Sequence, residues 1–167
     1  MDIRIAGTVE DSIVDGPGLR FVVFVQGCPH HCEGCHNPET HDFSAGKLTT
    51  TDALYEMCME NPLCSGVTFS GGEPFCQPEA LYELGSRFKD AGKHLMCYSG
   101  WTFEELLKKS GREEYVGKLL SILDVLVDGR FDISKRSLSL KFRGSSNQRL
   151  IDVHASLTNG EAVELPE

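Results

Sequence analysis

The sequence predicts an α/β fold with a mostly parallel sheet, closed into only part of a (β/α)6-type barrel. Three observations predict it. Apolar, β-branched runs alternate with amphipathic stretches of helical spacing, the pattern of right-handed βαβ units. The glycine-, cysteine- and aspartate-bearing loops "GCPHHCEGCHNP", "SGGEP", "YSGW" and "VDGRF" all follow the carboxyl ends of apolar runs, where parallel sheets and barrels build their sites. Finally, 167 residues fall short of the roughly 200 or more that a complete eight-fold barrel takes. No repeat, low-complexity tract or Pro/Ser-rich linker interrupts the chain, so residues 1–167 read as one domain.

The first strong element is "LRFVVFV" (Leu19 to Val25), a continuous apolar run of the kind buried on both faces of a sheet. "TTTDALYEMCMEN" places Leu54, Met57 and Cys58 at helical spacing behind a threonine-rich start. "GVTFS" (Gly66 to Ser70) is a second strand. In "QPEALYELGSRFKDAG" Pro78 opens a helix, Leu81, Leu84 and Phe88 share one face, and Gly92 ends it. "HLMCYS" is a third strand, and "TFEELLKK" starts a helix with a capping box, Thr102 with Glu105. "ILDVLV" (Ile122 to Val127) reads as a fourth strand, and "RLIDV", with Leu150, Ile151 and Val153, as a final one.

Composition narrows the function. With 40% hydrophobic and 25% charged residues the chain has a globular profile, and no apolar run approaches the roughly 18 residues of a spanning helix. The amino terminus carries Asp2 and Arg4 and no long apolar core, so a secretory signal is not expected and the cytoplasm is. There, seven cysteines point to metal binding or catalysis rather than to disulfides. A net charge of −9 disfavours broad binding to nucleic acid or anionic lipid, and leaves a protein partner or a small molecule.

The densest chemistry is Cys28-x3-Cys32-x2-Cys35. Two centres suit it: zinc closed by one of His30, His31, His36 or His41, or three irons of a four-iron, four-sulfur cluster with the fourth iron open. Gly71 and Gly72 of "SGGEP" allow close approach of backbone to a ligand, and Glu73 offers an acceptor. Alone, that turn is an ordinary strand-to-helix connection. Asp128 serves a nucleoside or caps a turn. Arg143, Asn147, Gln148 and Arg149 bring forks and amides into "FRGSSNQR", suited to a carboxylate, a ribose or a partner's backbone. Cys58, Cys64 and Cys97 read as core thiols, and Cys76 lies just past the turn.

Cys-x3-Cys-x2-Cys after a buried strand resembles the radical S-adenosylmethionine (SAM) enzymes, and "DGPGLRFVVFVQGC" with "CHNPET" resembles their glycyl-radical-enzyme activases. "CEGC", "YSGWTFEEL", "VDGRF" and "FRGSSNQRLIDV" are similar to the activating proteins of anaerobic ribonucleoside-triphosphate reductase, over nearly the whole chain. Many superfamily members, the pyruvate formate-lyase activases among them, have an aromatic residue where this chain has Gly34. The cation-binding aspartate of the latter is likewise not matched in "CYSG".

The resemblance implies a partial radical SAM barrel and a 4Fe–4S cluster on Cys28, Cys32 and Cys35, whose open iron is chelated by SAM's amine and carboxylate. It implies SAM contacts from Gly34, Cys35, His36, Ser70, Gly71, Gly72, Glu73, Asp128 and Arg143, with Gly34 and His36 on the adenine side, and no further catalytic side chain. "DGPG" (Asp15 to Gly18), otherwise a tight turn, would face the partner. The implied reaction is one-electron reduction of SAM to methionine and a 5′-deoxyadenosyl radical, which takes hydrogen from a glycine of the large reductase subunit. A low-potential donor such as a flavodoxin or ferredoxin would supply the electron. The pyruvate formate-lyase activases and a zinc-stabilised binding module are the competing readings.

Overall fold

In the computed structural model the described residues, 1–166, form one seven-stranded sheet with helices on one side. The elements in chain order are β1 (Asp2–Ser12), β2 (Arg20–Val25), β3 (Lys47–Thr50), α1 (Thr51–Met59), β4 (Gly66–Gly71) and α2 (Pro78–Asp90). There follow β5 (His94–Tyr98), α3 (Phe103–Ser110), α4 (Glu114–Ile122), β6 (Val125–Asp128), β7 (Arg149–Asp152) and α5 (Val153–Asn159). The sheet order is β3-β1-β2-β4-β5-β6-β7. Neighbours from β2 to β6 are parallel, while β1, β3 and β7 join antiparallel at the flanks. The sheet is open, with β3 and β7 at its edges, which is how a chain of this length realises part of a barrel.

Alternation along the parallel strands separates two faces. Phe21, Val23, Val67, Phe69, Leu95 and Leu126 point to the helices and form one core with Leu54, Leu81, Phe88, Phe103 and Leu119. The local signals behind those helices hold. Thr102 and Glu105 make the reciprocal capping box at the start of α3. At the end of α2, Lys93 donates to the Phe88 carbonyl and Gly92 to that of Lys89, the paired bonds of a Schellman stop.

Among the described residues the other face has no α-helix. Met96, Val125, Val127 and Leu150 form a second, smaller core that Tyr98, Phe142 and Leu165 cover. Arg20 belongs to this face and is fully buried. Its guanidinium donates to Thr68 Oγ1 (2.8 Å) and to the carbonyls of Pro17 (2.9 Å), Val67 (2.8 Å) and His94 (3.2 Å). Burial lowers its pKa, and the ring of carbonyl acceptors supplies the compensation that a buried cation requires. The Pro17 bond, with Thr68 Oγ1 donating to the Asp15 carbonyl (2.8 Å), fastens the Asp15-to-Gly18 turn across the sheet.

Three elements differ from the sequence reading. The stretch read only as a non-signal amino terminus is β1, whose pattern is broken by irregularities between Ile5 and Gly7 and between Val9 and Ser12. The strand expected over Ile122 to Val127 begins at Val125, because α4 runs on to Ile122. Val153, placed in the final strand, instead opens α5 behind Asp152, whose side chain accepts from Ala155 N.

Candidate active site

The cysteine loop leaves the end of β2 and returns to it. Gly27 N donates to the Thr40 carbonyl (2.7 Å) and Cys28 N to that of His41 (3.2 Å), so the loop is closed at its base. Gln26, 4% exposed, fixes the returning limb by donating from Nε2 to the carbonyls of Glu39 (2.9 Å) and Asp42 (2.7 Å). Cys28 is buried, Cys32 and Cys35 half-buried. Burial pushes the Cys28 thiol up from its ordinary pKa. Burial does the same to Cys32, against a hydrogen bond from the Phe131 backbone that pulls it down. Among the described residues no three His, Cys, Asp or Glu side chains converge so as to hold one metal ion. The histidines are engaged elsewhere: His30 with Glu73 and against Trp101, His31 against His41, and His36 against Phe131.

Beside the loop, on the helix-free face, lies a cavity of about 530 Å³. Its floor is Phe24, Ser70 and Tyr98, side by side in register across three adjacent parallel strands. Cys35, His36 and Gly71 form the wall on the cysteine side, and Phe131 and Arg143 belong to the long connection between β6 and β7. Cys35, His36, Ser70, Gly71 and Arg143, five of the expected SAM contacts, thus share one cavity. Arg143 is braced there by donating from Nη1 to the Gln148 carbonyl (3.0 Å). Gln148 in turn accepts at Oε1 from the amides of Gly144 (2.9 Å) and Ser145 (3.1 Å), so this loop is built rather than merely solvated.

Gly72, Glu73 and Asp128 stand apart from the cavity lining, for reasons that are physical. Glu73 is 1% exposed. Its carboxylate accepts from Gly100 N (2.7 Å), Phe75 N (3.0 Å) and Ser99 Oγ (3.0 Å) and meets His30 Nε2 at 2.8 Å. Those donors saturate it, so the expected role as acceptor for SAM's ammonium gives way to that of a strut joining three loops. Gly72 donates to the Val25 carbonyl (2.8 Å), and a Cβ there would lie 2.4 Å from the Gly27 carbonyl oxygen. Its close approach is therefore to the base of the cysteine loop. Gly72→Val is accordingly expected to reduce iron content and SAM affinity together, measured as iron per chain and by equilibrium dialysis; normal iron with weakened SAM would return Gly72 to the ligand.

Asp128, 1% exposed, accepts from Phe103 N (2.7 Å) at the start of α3 and from Arg149 Nε (3.0 Å). Arg149 also reaches Glu104 (2.7 Å), and these partners raise its already high pKa. Of the two roles open to Asp128, the structure shows the cap. Gly34 lies at the rim beside Phe131 and Ile133, next to His36 as expected.

The remaining thiols lie off the site. Cys58 and Cys64 sit 3.7 Å apart in the core, with Cys58 raised to about 12 by burial and by its neighbour. Cys97 is fully buried. Cys76 feels Glu73 and Cys28, yet burial leads in pushing it up to about 12, so it is held protonated. Phe24 and Phe131 are site residues the sequence reading passed over. Phe24 was hidden in an apolar run, and Phe131 had no signal beyond its place in "VDGRF".

Residues 14–151 match the family described as 4Fe-4S single cluster domain. The chain is 32% identical over 146 residues to the anaerobic ribonucleoside-triphosphate reductase-activating protein of Enterobacteria phage T4, covering 82% of this chain and 86% of that one. Its counterpart in Vibrio cholerae is 33% identical, with 81% and 89% covered. The pyruvate formate-lyase-activating enzyme of Clostridium pasteurianum is 40% identical over 114 residues, 63% of this chain. The chain spans about half of that enzyme's length, 48%. QueE from Escherichia coli has a similar fold, with a TM-score of 0.51 at 17% identity over 61% of this chain and 54% of that one.

Proposed function

We propose, from the premise that this chain belongs to the 4Fe-4S single cluster domain family and within it to the activating proteins of anaerobic ribonucleoside-triphosphate reductase, that it generates the glycyl radical of that class III reductase. One observation carries the reading: Cys35 is at once part of the cysteine loop and part of the wall of a cavity large enough for a nucleoside-sized ligand. The donor set fits a 4Fe–4S cluster. Cys28, Cys32 and Cys35 would hold three irons, no fourth cysteine stands in the loop, and the open iron would take SAM's amine and carboxylate. When bound, the cluster would supply the one-electron reduction that cleaves SAM to methionine and the 5′-deoxyadenosyl radical needed to take hydrogen from the partner's glycine.

The chain's own residues do the rest. Cys28 and Cys32, held up by burial, release their protons when the cluster is loaded. Ser70 and Tyr98 form the floor beneath SAM, Gly71 stands at its cysteine-side wall, and the Arg143 guanidinium binds its carboxylate. Phe24, Leu140 and Phe142 keep the walls apolar, which shields the radical from water. Val14, at the cavity and 72% exposed, with its equally exposed neighbour Ile13, meets the large reductase subunit. A low-potential flavodoxin or ferredoxin in the cytoplasm supplies the electron.

Anaerobic purification tests this directly: a brown protein with about four irons per chain that cleaves SAM and forms a glycyl radical on the reductase is expected. A colourless zinc protein overturns it. Because of the Clostridium relative, pyruvate formate-lyase is the second partner to assay, and radical formation on it instead would move the activity there. Within this reading, Arg143→Ala is expected to lower glycyl radical yield at least tenfold, about 1.4 kcal/mol of transition-state stabilisation, with the cluster still assembled. Unchanged SAM cleavage and radical yield in that variant would reduce the loop to a turn.

A further inference from the structure

The ring of Phe131 lines the cavity next to the cysteine loop, with its centroid 5.2 Å from that of His36 and the planes inclined by 51°. Two glycines border it. A Cβ on Gly34, which has φ +74°, would lie 3.4 Å from the ring and 2.6 Å from Ile133, and a Cβ on Gly144 would lie 3.1 Å from the ring. A Cβ on Gly144 would crowd the ring, whereas one on Gly34 would clash with Ile133 beside it and only touch the ring. The cysteine loop is thus bare at Gly34, and the aromatic surface at that point of the wall comes from a loop almost a hundred residues later in the chain.

The other aromatic side chains of the cavity are committed to different work. Phe24 and Tyr98 belong to the floor, and the Tyr98 hydroxyl donates to the Phe142 carbonyl (2.7 Å). Phe142 packs on the second core and carries the Lys141 ammonium 5.3 Å from its ring. Phe131 is half-buried, held by its flanking glycines and His36. Its packing on His36 ties its position to that of the cysteine loop.

We propose that Phe131, positioned by His36 and given room by Gly144, is the residue on which the adenine ring of SAM stacks. This rests on the SAM-binding function proposed above. A purine is the one large flat apolar part of that ligand, and aromatic side chains hold bases by their faces. The cluster fixes the methionine end of SAM near Cys35. The adenine then needs a flat surface within one ligand length of that anchor, on the cysteine side of the cavity, and Phe131 stands there.

The test uses the anaerobically reconstituted holoprotein and three readouts: iron per chain, SAM affinity and methionine affinity, with Phe131→Leu keeping bulk and Phe131→Tyr keeping the ring. Phe131→Leu is expected to weaken SAM about tenfold while iron content and methionine affinity stay at wild-type values. Phe131→Tyr is expected to restore SAM affinity to within about twofold. Unchanged SAM affinity in Phe131→Leu overturns the proposal. Parallel loss of iron, methionine and SAM overturns it too, since Phe131 would then only brace the loop. A wild-type holoprotein that binds methionine but not SAM, or neither, would instead sink the functional reading on which this rests.

Discussion

Cys28→Ala, Cys32→Ala and Cys35→Ala are each expected to abolish SAM cleavage and leave the reconstituted protein with little stable iron. On the proposed ligation there is no spare: losing one of the three would open a second iron to solvent. Cys76 stands outside the loop, at the end of the Pro74–Cys76 turn. The control is chemical as well as positional. Cys58→Ala and Cys64→Ala remove thiols that are equally cysteine but pack in the core, so they should cost some stability and leave iron per chain near wild type. Iron that survives loss of one of the three, or fails without Cys58 or Cys64, would show that the ligands are assigned wrongly.

Glu73→Ala is expected to destabilise the fold by about 3 kcal/mol or more, since buried donors left without an acceptor cost about 1–3 kcal/mol each. Here Phe75 N, Gly100 N, Ser99 Oγ and His30 all lose theirs. For a chain of this length that corresponds to a fall in Tm of about 6–12 °C, measured on the metal-free protein by thermal unfolding. Glu73→Gln separates this from a ligand role. It keeps the shape and one acceptor oxygen, yet turns an NH2 group toward groups that are themselves donors, so Tm still falls. Unchanged Tm with weakened SAM binding would restore Glu73 to the ligand.

What the sequence discloses follows the range of the interactions involved. The capping box of α3 and the stop of α2 are local, with partners a few residues apart, and both were readable. The buried strands β2, β4 and β5 were readable because continuous apolar runs between glycine-rich loops have few other fates. β1 was hidden because only Ile3 and Ile5 are fully buried in its first half and its pairing is irregular after them. β3 lies at an edge with little burial and carries almost no pattern. In the site, the three cysteines announce themselves by spacing. Glu73 misleads, because a carboxylate beside two glycines looks the same in sequence whether it meets a ligand or a histidine 43 residues away. Phe131 is silent for the same reason, since neither the glycine that gives it room nor the histidine beside it is its neighbour in the chain.

The helix-free face has a consequence for the order in which this protein matures. The helix-side core is largely laid down by consecutive strand–helix units, so it can condense as the chain lengthens. The cofactor cavity cannot. Its cysteine side is made early, at Cys35 and His36, whereas the residues that complete the enclosure, from Phe131 to Gln148, come late in the chain. At about 5–20 residues per second of synthesis, the thiols wait several seconds, uncovered, for the segment that encloses them. Delivery of iron and sulfide therefore has an open window before the cavity closes, and a chain truncated ahead of Phe131 would lack that enclosing segment and present its cysteines permanently to solvent and oxidant.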